Sequence, residues 1–279
     1  MLIDSHAHIT FKEYENDLED VIARSFASGT QIINVSNNYE TSVKAVELAE
    51  KHDGMWAVIG CHPDDLKQEE FNLDKYRQLA QSSKKIIGIG EVGLDFFRLA
   101  EDANKIKAEQ VKYFKEFITL AQELDLPLVL HCRGTKDDPY GEYDEMLEIL
   151  GLELRATSLG QKSSKPTAPS PKLRGVIHCY GGNLEQAKKF LDLGFHIGFT
   201  GIVTFKNAKD IQQIAEEIPL DRILIETDAP SLAPEPFRGQ RNEPSYVKYV
   251  AQKIAELKGL SFEEVARATY ENTGKLFKL

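Results

Sequence analysis

A closed α/β barrel of eight parallel strands is the fold class this sequence predicts, and three observations predict it. Strand-like and helix-like runs alternate along all 279 residues, and a barrel with eight strand–helix units, the (β/α)8 or TIM type, takes about 250 residues in one domain. The strand-like runs are continuously apolar and β-branched, as parallel strands covered on both faces are. Histidines and acids stand at the ends of the first, fourth, fifth, sixth and eighth runs. Side chains from the first and eighth strands reach one point only if the strands surround it, so the closed barrel is preferred to an open doubly wound sheet.

The first strand is MLIDSH (1–6), followed by an amphipathic helix over residues 15–28. QIINVS (31–36) and a helix over 40–52 form the second unit, and MWAVIGCH (55–62) with a helix over 73–82 the third. KIIGIGE (85–91) leads to a long helix over 102–124, and LPLVLHC (126–132) to one over 141–150. RGVIHCY (174–180), FHIGFTG (195–201) and RILIETD (222–228) are the last three strands, with helices over 184–193 and 208–217 between them. Each strand run is bounded by turn residues, and each helical run keeps one apolar stripe for the strand layer. The C-terminal portion is again helical, over 244–257 and 261–277; Ser261 before Phe-Glu-Glu is an N-cap followed by first-turn acids. One segment breaks the rhythm. ATSLGQKSSKPTAPSP (156–171) has little that could pack and predicts a long flexible loop before the sixth strand.

Residues 1–279 therefore predict a single barrel domain. The longest apolar stretches are strand-sized, which excludes a membrane-spanning helix. A strand that begins at Met1 and carries functional histidines leaves no room for a cleavable leader, so the expected location is the cytoplasm. Each cysteine neighbours a histidine: Cys61-His62, His131-Cys132 and His178-Cys179. Because alternate side chains of a strand face opposite ways, inward histidines predict cysteines turned to the helix layer as small buried thiols. A net charge of −10 argues against electrostatic coating of long nucleic acid. Two divalent ions would add about four positive charges at one spot, so a phosphate site remains compatible with an acidic chain.

His6 and His8 form an H-x-H at the end of the first strand; Glu91, His131, His178 and Asp228 end the fourth, fifth, sixth and eighth. Imidazole and carboxylate converging from five strand ends are what a divalent-metal centre needs, and zinc, manganese or magnesium all suit that donor set. A carboxylate such as Glu91 is costly to bury unless paired or metal-bound, and no strand run supplies a lysine or arginine to pair it. Glu226 lies one layer deeper on the Asp228 strand. His62, ending the third strand, is expected to touch substrate or phosphate, with a loop-stabilising hydrogen bond as its plainer role. His52, at a helix C-terminus, and His196, at the start of the seventh strand, are expected to be structural. Arg238, Arg241 and Asn242 in PFRGQRNEP suit recognition of phosphate or carboxylate; the plainer reading is a solvated surface loop. The run GIGEVG (88–93) only mimics a dinucleotide fingerprint, because a Glu interrupts it and the next helix comes late.

The pieces DSHAH (4–8), IGCHP (59–63), GIGEVGLDFF (88–97), LVLHCR (128–133), GVIHCYGG (175–182), GFTGIVTFK (198–206), ETDAPSLAP (226–234) and RGQRNEPSYV (238–247) keep an order and spacing that resembles the TatD family of metal-dependent deoxyribonucleases, within the amidohydrolase superfamily. The resemblance runs almost end to end, except that the stretch between His131 and His178 is longer here. It implies a TIM-type barrel, two divalent ions and phosphodiester hydrolysis. It further implies that His6, His8 and Asp228 hold one ion, His131 and His178 the other, and that Glu91 bridges them, where many relatives carry a modified lysine. Asp228 is then the general base or water orienter, with Glu91 the second catalytic carboxylate. The implied substrate is DNA, single-stranded or at a 3′ end, cleaved 3′ to 5′, with no membrane and no obligate protein partner. The alternative is a metallohydrolase of the same fold acting on an amide, lactone or organophosphate; a non-catalytic scaffold is the third reading, disfavoured because every expected ligand is present.

Overall fold

The structure is a computed structural model that describes residues 1–67, 71–97, 99, 102–159 and 173–279. Its strands are β1 (Leu2–Ala7), β2 (Thr30–Val35), β3 (Met55–Ile59), β4 (Ile86–Asp95), β5 (Leu128–Arg133), β6 (Gly175–Ile177), β7 (His196–Phe199) and β8 (Ile223–Ile225). Between and after them lie α1 (Leu18–Ala27), α2 (Tyr39–Lys51), α3 (Leu73–Ala80), α4 (Ala103–Leu124), α5 (Gly141–Leu159), α6 (Leu184–Asp192), α7 (Lys209–Glu217), α8 (Val247–Lys258) and α9 (Phe262–Phe277). Strand order follows chain order from β1 to β8, and each neighbouring pair is parallel.

The last joint, between β8 and β1, is a short parallel bridge from Ala7 to Ala229. The backbone N–H of His8 donates to the Ala229 carbonyl at 2.7 Å, and that of Asp228 donates to the His6 carbonyl at 2.9 Å. Asp4, fully buried, accepts from the Thr227 backbone at 2.9 Å and from its hydroxyl at 2.5 Å. A buried carboxylate needs such donors, and here they lock the first strand to the loop after the last. The expected closed barrel is what forms.

Two cores reflect the alternation of strand side chains. Ile3, Ile33, Val35, Val58, Ile87, Val129, Val176 and Leu224, from strands all around the barrel, meet in one cluster that also takes in Leu276 and Phe277 of α9. That is the barrel interior, and the end of α9 closes its floor. Gly88 is part of the fit, since a Cβ there would meet the Phe277 ring at 3.2 Å. The larger cluster joins the outward faces of the strands to the helices and includes Leu2, Ile32, Ala57, Leu130, Ile177 and Ile225. Burial at about 25 cal/mol per Å² makes these two clusters the main source of stability. Ser261 caps α9 as expected, accepting from the Glu264 backbone while the Glu264 carboxylate accepts from the Ser261 N–H.

Two boundaries differ from the sequence reading. β4 does not end at Glu91; Val92, Gly93, Leu94 and Asp95 continue to pair with Leu130, His131, Cys132 and Arg133. The fifth helix does not stop at residue 150: α5 runs to Leu159, so residues 156–159 of the expected loop are helical, and 160–171 lie outside the described residues. Leu154 packs against the same core as Leu150, and an interior glycine such as Gly151 costs only about 1 kcal/mol, which packing overrides. Among the described residues, no helix is long and apolar enough to cross a membrane.

Candidate metal centre

The C-terminal ends of the strands surround a cavity of about 920 Å³ lined by His8, His62, Glu91, His131, His178 and Asp228, among others. β1 delivers His6 and His8 side by side, with Nε2 atoms 3.1 Å apart. Glu91 Oε2 stands 3.4 Å from His6 Nε2 and 3.5 Å from His8 Nε2, and Asp228 Oδ1 stands 3.4 Å from His8 Nε2. Around an ion bound at about 2.0–2.2 Å, adjacent ligand atoms stand about 3.0–3.6 Å apart, from octahedral to tetrahedral geometry. All four separations fall in that window. The residues present therefore fit a divalent ion.

The tautomers follow from what the outer ring nitrogens touch. His8 Nδ1 is 2.8 Å from the Val35 carbonyl, which can only accept, so Nδ1 carries the proton and Nε2 is left as a donor for an ion. His178 Nδ1 lies 2.7 Å from Glu226 Oε2, and its Nε2 points at Glu91 and Asp228, at 4.0 and 3.5 Å. His131 reverses the ring: Nε2 lies 2.9 Å from Asp95 Oδ2 and Nδ1 2.8 Å from Glu91 Oε1. The carboxylates behind His131 and His178, and the carbonyl behind His8, fix those rings' orientations and raise their basicity. Glu91 thus has His6 and His8 on one oxygen and His131 on the other.

The electrostatics agree with a site built for cations. Burial would raise the Glu91 pKa, but the imidazoles of His6 and His62 outweigh it and hold the carboxyl well below its usual range. Asp228 is likewise lowered against burial, by His178 and His8. Burial, then repulsion from His178, lowers His6 to about 4, which suits a neutral ligand. His131 is raised to about 9, because Asp95 and Glu91 overcome the opposing effect of burial. An ion entering here competes with protons.

Among the described residues, four groups of His, Cys, Asp and Glu could hold an ion: His6, His8 and Asp228; His6, Glu91 and His178; His62, Asp95 and His131; and His178, Cys179 and Asp228. The first matches the expected set. The second ion's expected pair is divided, with His131 grouped with His62 and Asp95 instead of with His178; Glu91 Oε1 stands 2.8 Å from His131 Nδ1 and 4.0 Å from His178 Nε2. His62 makes the loop-stabilising hydrogen bond and also stands on the cavity wall. Its Nδ1 accepts from the Asp64 backbone at 3.1 Å, and its Nε2 faces Glu91 at 3.9 Å across the cavity. His52 follows the end of α2 and His196 opens β7, and neither lines the cavity.

The loop after β8 departs from the expectation. Arg241 places its guanidinium on both Asp17 oxygens at 2.7 Å, on the Glu13 carbonyl at 2.8 Å and on Glu243 at 3.2 Å. Asn242 is fully buried and donates to the Thr227 and Ser231 carbonyls. Arg238 stacks on Phe205, 4.1 Å from the ring centre, and is not part of the cavity wall. None of the three lines the cavity: Arg241 and Asn242 are engaged in holding the loop to the start of α1 and to itself.

Other residues enter that the sequence reading passed over. Asp95 was hidden by ending the fourth strand early; it is on the Glu91 face, four residues on. Cys61 and Cys132 join the outer core as expected, but Cys179 does not follow the strand alternation. β6 ends at Ile177, Cys179 has φ +45°, and its Sγ comes within 3.4 Å of the Thr200 hydroxyl beside the site. Burial pushes that thiol up to about 12.

The family model for TatD related DNase matches residues 3–278. The uncharacterized metal-dependent hydrolase YabD of Bacillus subtilis is 40% identical over the whole of both chains. The uncharacterized metal-dependent hydrolase YcfH of Escherichia coli is 34% identical, covering 100% of this chain and 96% of its own. Among solved structures, YjjV, a TatD homolog from E. coli K12, superposes with a TM-score of 0.84 at 28% identity, over 100% of this chain and 98% of that one.

Proposed function

Because the chain belongs to the TatD related DNase family and is a metal-dependent hydrolase, we propose that it hydrolyses phosphodiester bonds of DNA, working from the 3′ end of a single strand, with two divalent ions. The observation that carries this reading is Glu91. One of its oxygens faces His6 and His8 and the other faces His131, so one carboxylate separates two imidazole surroundings. His6, His8 and Asp228 would hold one ion; His131 Nδ1 and His178 Nε2 would hold the second, with Glu91 shared.

When bound, the ions would supply Lewis acidity and lower the pKa of the attacking water. The chain's own residues do the rest. Asp228, kept ionised by His178 and His8, orients that water and accepts its proton. The Nε2–H of His62 is free to donate to a phosphoryl oxygen, because Nδ1 is committed to accepting from Asp64. Asp95 and Glu226 keep the His131 and His178 rings aligned throughout.

The test is digestion of end-labelled single- and double-stranded DNA with magnesium, manganese or zinc, read on a gel. The expected result is progressive shortening of the single strand from its 3′ end, abolished by chelator. Intact DNA under every metal, with turnover of a lactone, amide or organophosphate triester, would overturn the reading.

A further inference from the structure

The loop after β8 supplies no anion contact, yet a DNA strand needs one beyond the metals. Among the described residues lining the metal cavity, the lysines and arginines are Arg133 and Lys136, and both stand on one wall. Arg133 is the last residue of β5, two positions after His131, so its side chain leaves the same face of the strand about 7 Å further along. The β5 burial pattern alternates accordingly, with His131 half-buried, Cys132 buried and Arg133 exposed. The Arg133 guanidinium lies 3.7 Å from the centre of the Phe97 ring, and Lys136 Nζ lies 5.5 Å from the same ring. Neither cation is paired with a carboxylate among the described residues, unlike Arg241.

The platform is tied to the centre. Asp95 accepts from the Phe97 backbone through Oδ1 at 2.9 Å and faces His131 through Oδ2. The Phe96 backbone donates to the Arg133 carbonyl at 2.9 Å. One carboxylate thereby sets both the ring beneath Arg133 and an imidazole at the centre. An aromatic face orients a guanidinium while leaving its N–H fork free for phosphate oxygens.

We propose that Arg133 and Lys136, seated on Phe97, form an anion subsite that takes the phosphate next to the one being cleaved. This rests on the nuclease reading above and adds to it the contact that distinguishes a polynucleotide from a small diester.

The test compares a single-stranded oligonucleotide with bis(p-nitrophenyl) phosphate, which has no neighbouring phosphate, using metal-loaded wild type, Arg133→Gln, Lys136→Gln and Arg133→Lys. Each glutamine variant should raise KM for the oligonucleotide about tenfold, the scale of one charged hydrogen bond, and at least fivefold more than for the small diester. The slope of log KM against log salt should flatten by about 0.7 per lost contact. Arg133→Lys, which keeps the charge, should recover part of the loss. Equal losses on both substrates, or an unchanged KM and salt slope on DNA, would overturn the subsite. A wild type that hydrolyses the small diester but not the oligonucleotide would overturn the nuclease reading itself, and the subsite with it.

Discussion

Single side chains carry the sharpest tests. Glu91 is buried among His6, His8, His62 and His131, so Glu91→Ala should lower bound metal per chain and activity together while far-UV circular dichroism stays unchanged. Metal content equal to wild type, with activity within tenfold, would remove its bridging role. Asp228→Asn keeps the shape and removes the base; kcat should fall by roughly 10² or more, the scale of general-base catalysis, and an effect confined to KM would put Asp228 outside the chemistry. His196, at the far end of the barrel, is held down to about 4 by burial and by Arg222. Its folded pKa lies below the unfolded value of about 6.5, so it contributes stability that is complete above pH 6.5 and is lost as pH falls toward 4. His196→Leu should therefore flatten the decline in melting temperature between pH 6.5 and 4. The same slope in both proteins would show that His196 is not buried neutral.

Among elements, the decisive fit is β7 against β8. Gly198 of β7 has no side chain because Glu226 fills its place: a Cβ there would meet Glu226 Oε1 at 2.1 Å. Glu226 in turn holds His178 Nδ1 and the Cys179 backbone N–H. Gly198→Ala should push the carboxylate off His178, so metal content should fall with little change in secondary structure; an alanine variant that binds metal like wild type would show that the strands shift to make room. This dependence was not legible in the sequence, where FHIGFTG and RILIETD are simply two strands. Asp95 was hidden for a related reason. Nothing local says that β4 keeps pairing past Glu91, since pairing depends on the partner strand. The fifth helix continues past residue 150 because Leu154, one turn beyond Leu150, also packs against the outer core, which no local signal records. The loop arginines were misplaced because a residue type shows what it can bind and not what already occupies it: Arg241 has Asp17 and Glu243 as neighbours only after folding.

At the scale of the molecule, the barrel has a sealed floor and an open top. Leu276 and Phe277 enter the interior cluster from α9, while the metal cavity opens at the other end of the strands, where active sites of this fold lie. Phe277→Ala should cost about 3–5 kcal/mol of unfolding free energy, the range for deleting a buried aromatic, measured by chemical denaturation with metal present. A loss below about 1 kcal/mol would mean that the floor is not packed by that ring. The sequence by itself determined the alternation of strands and helices, the barrel class and the six residues His6, His8, Glu91, His131, His178 and Asp228 that meet at its mouth. Those rest on periodicity and on chemistry costly enough to stand out in apolar runs. Only the tertiary structure decided which ring nitrogen faces inward, which acceptor stands behind His8, His131 and His178, and which arginine is free to meet an anion. Each of these is a contact between residues far apart in the chain, set by β-strand register and by competition among charged neighbours, and no single segment records it.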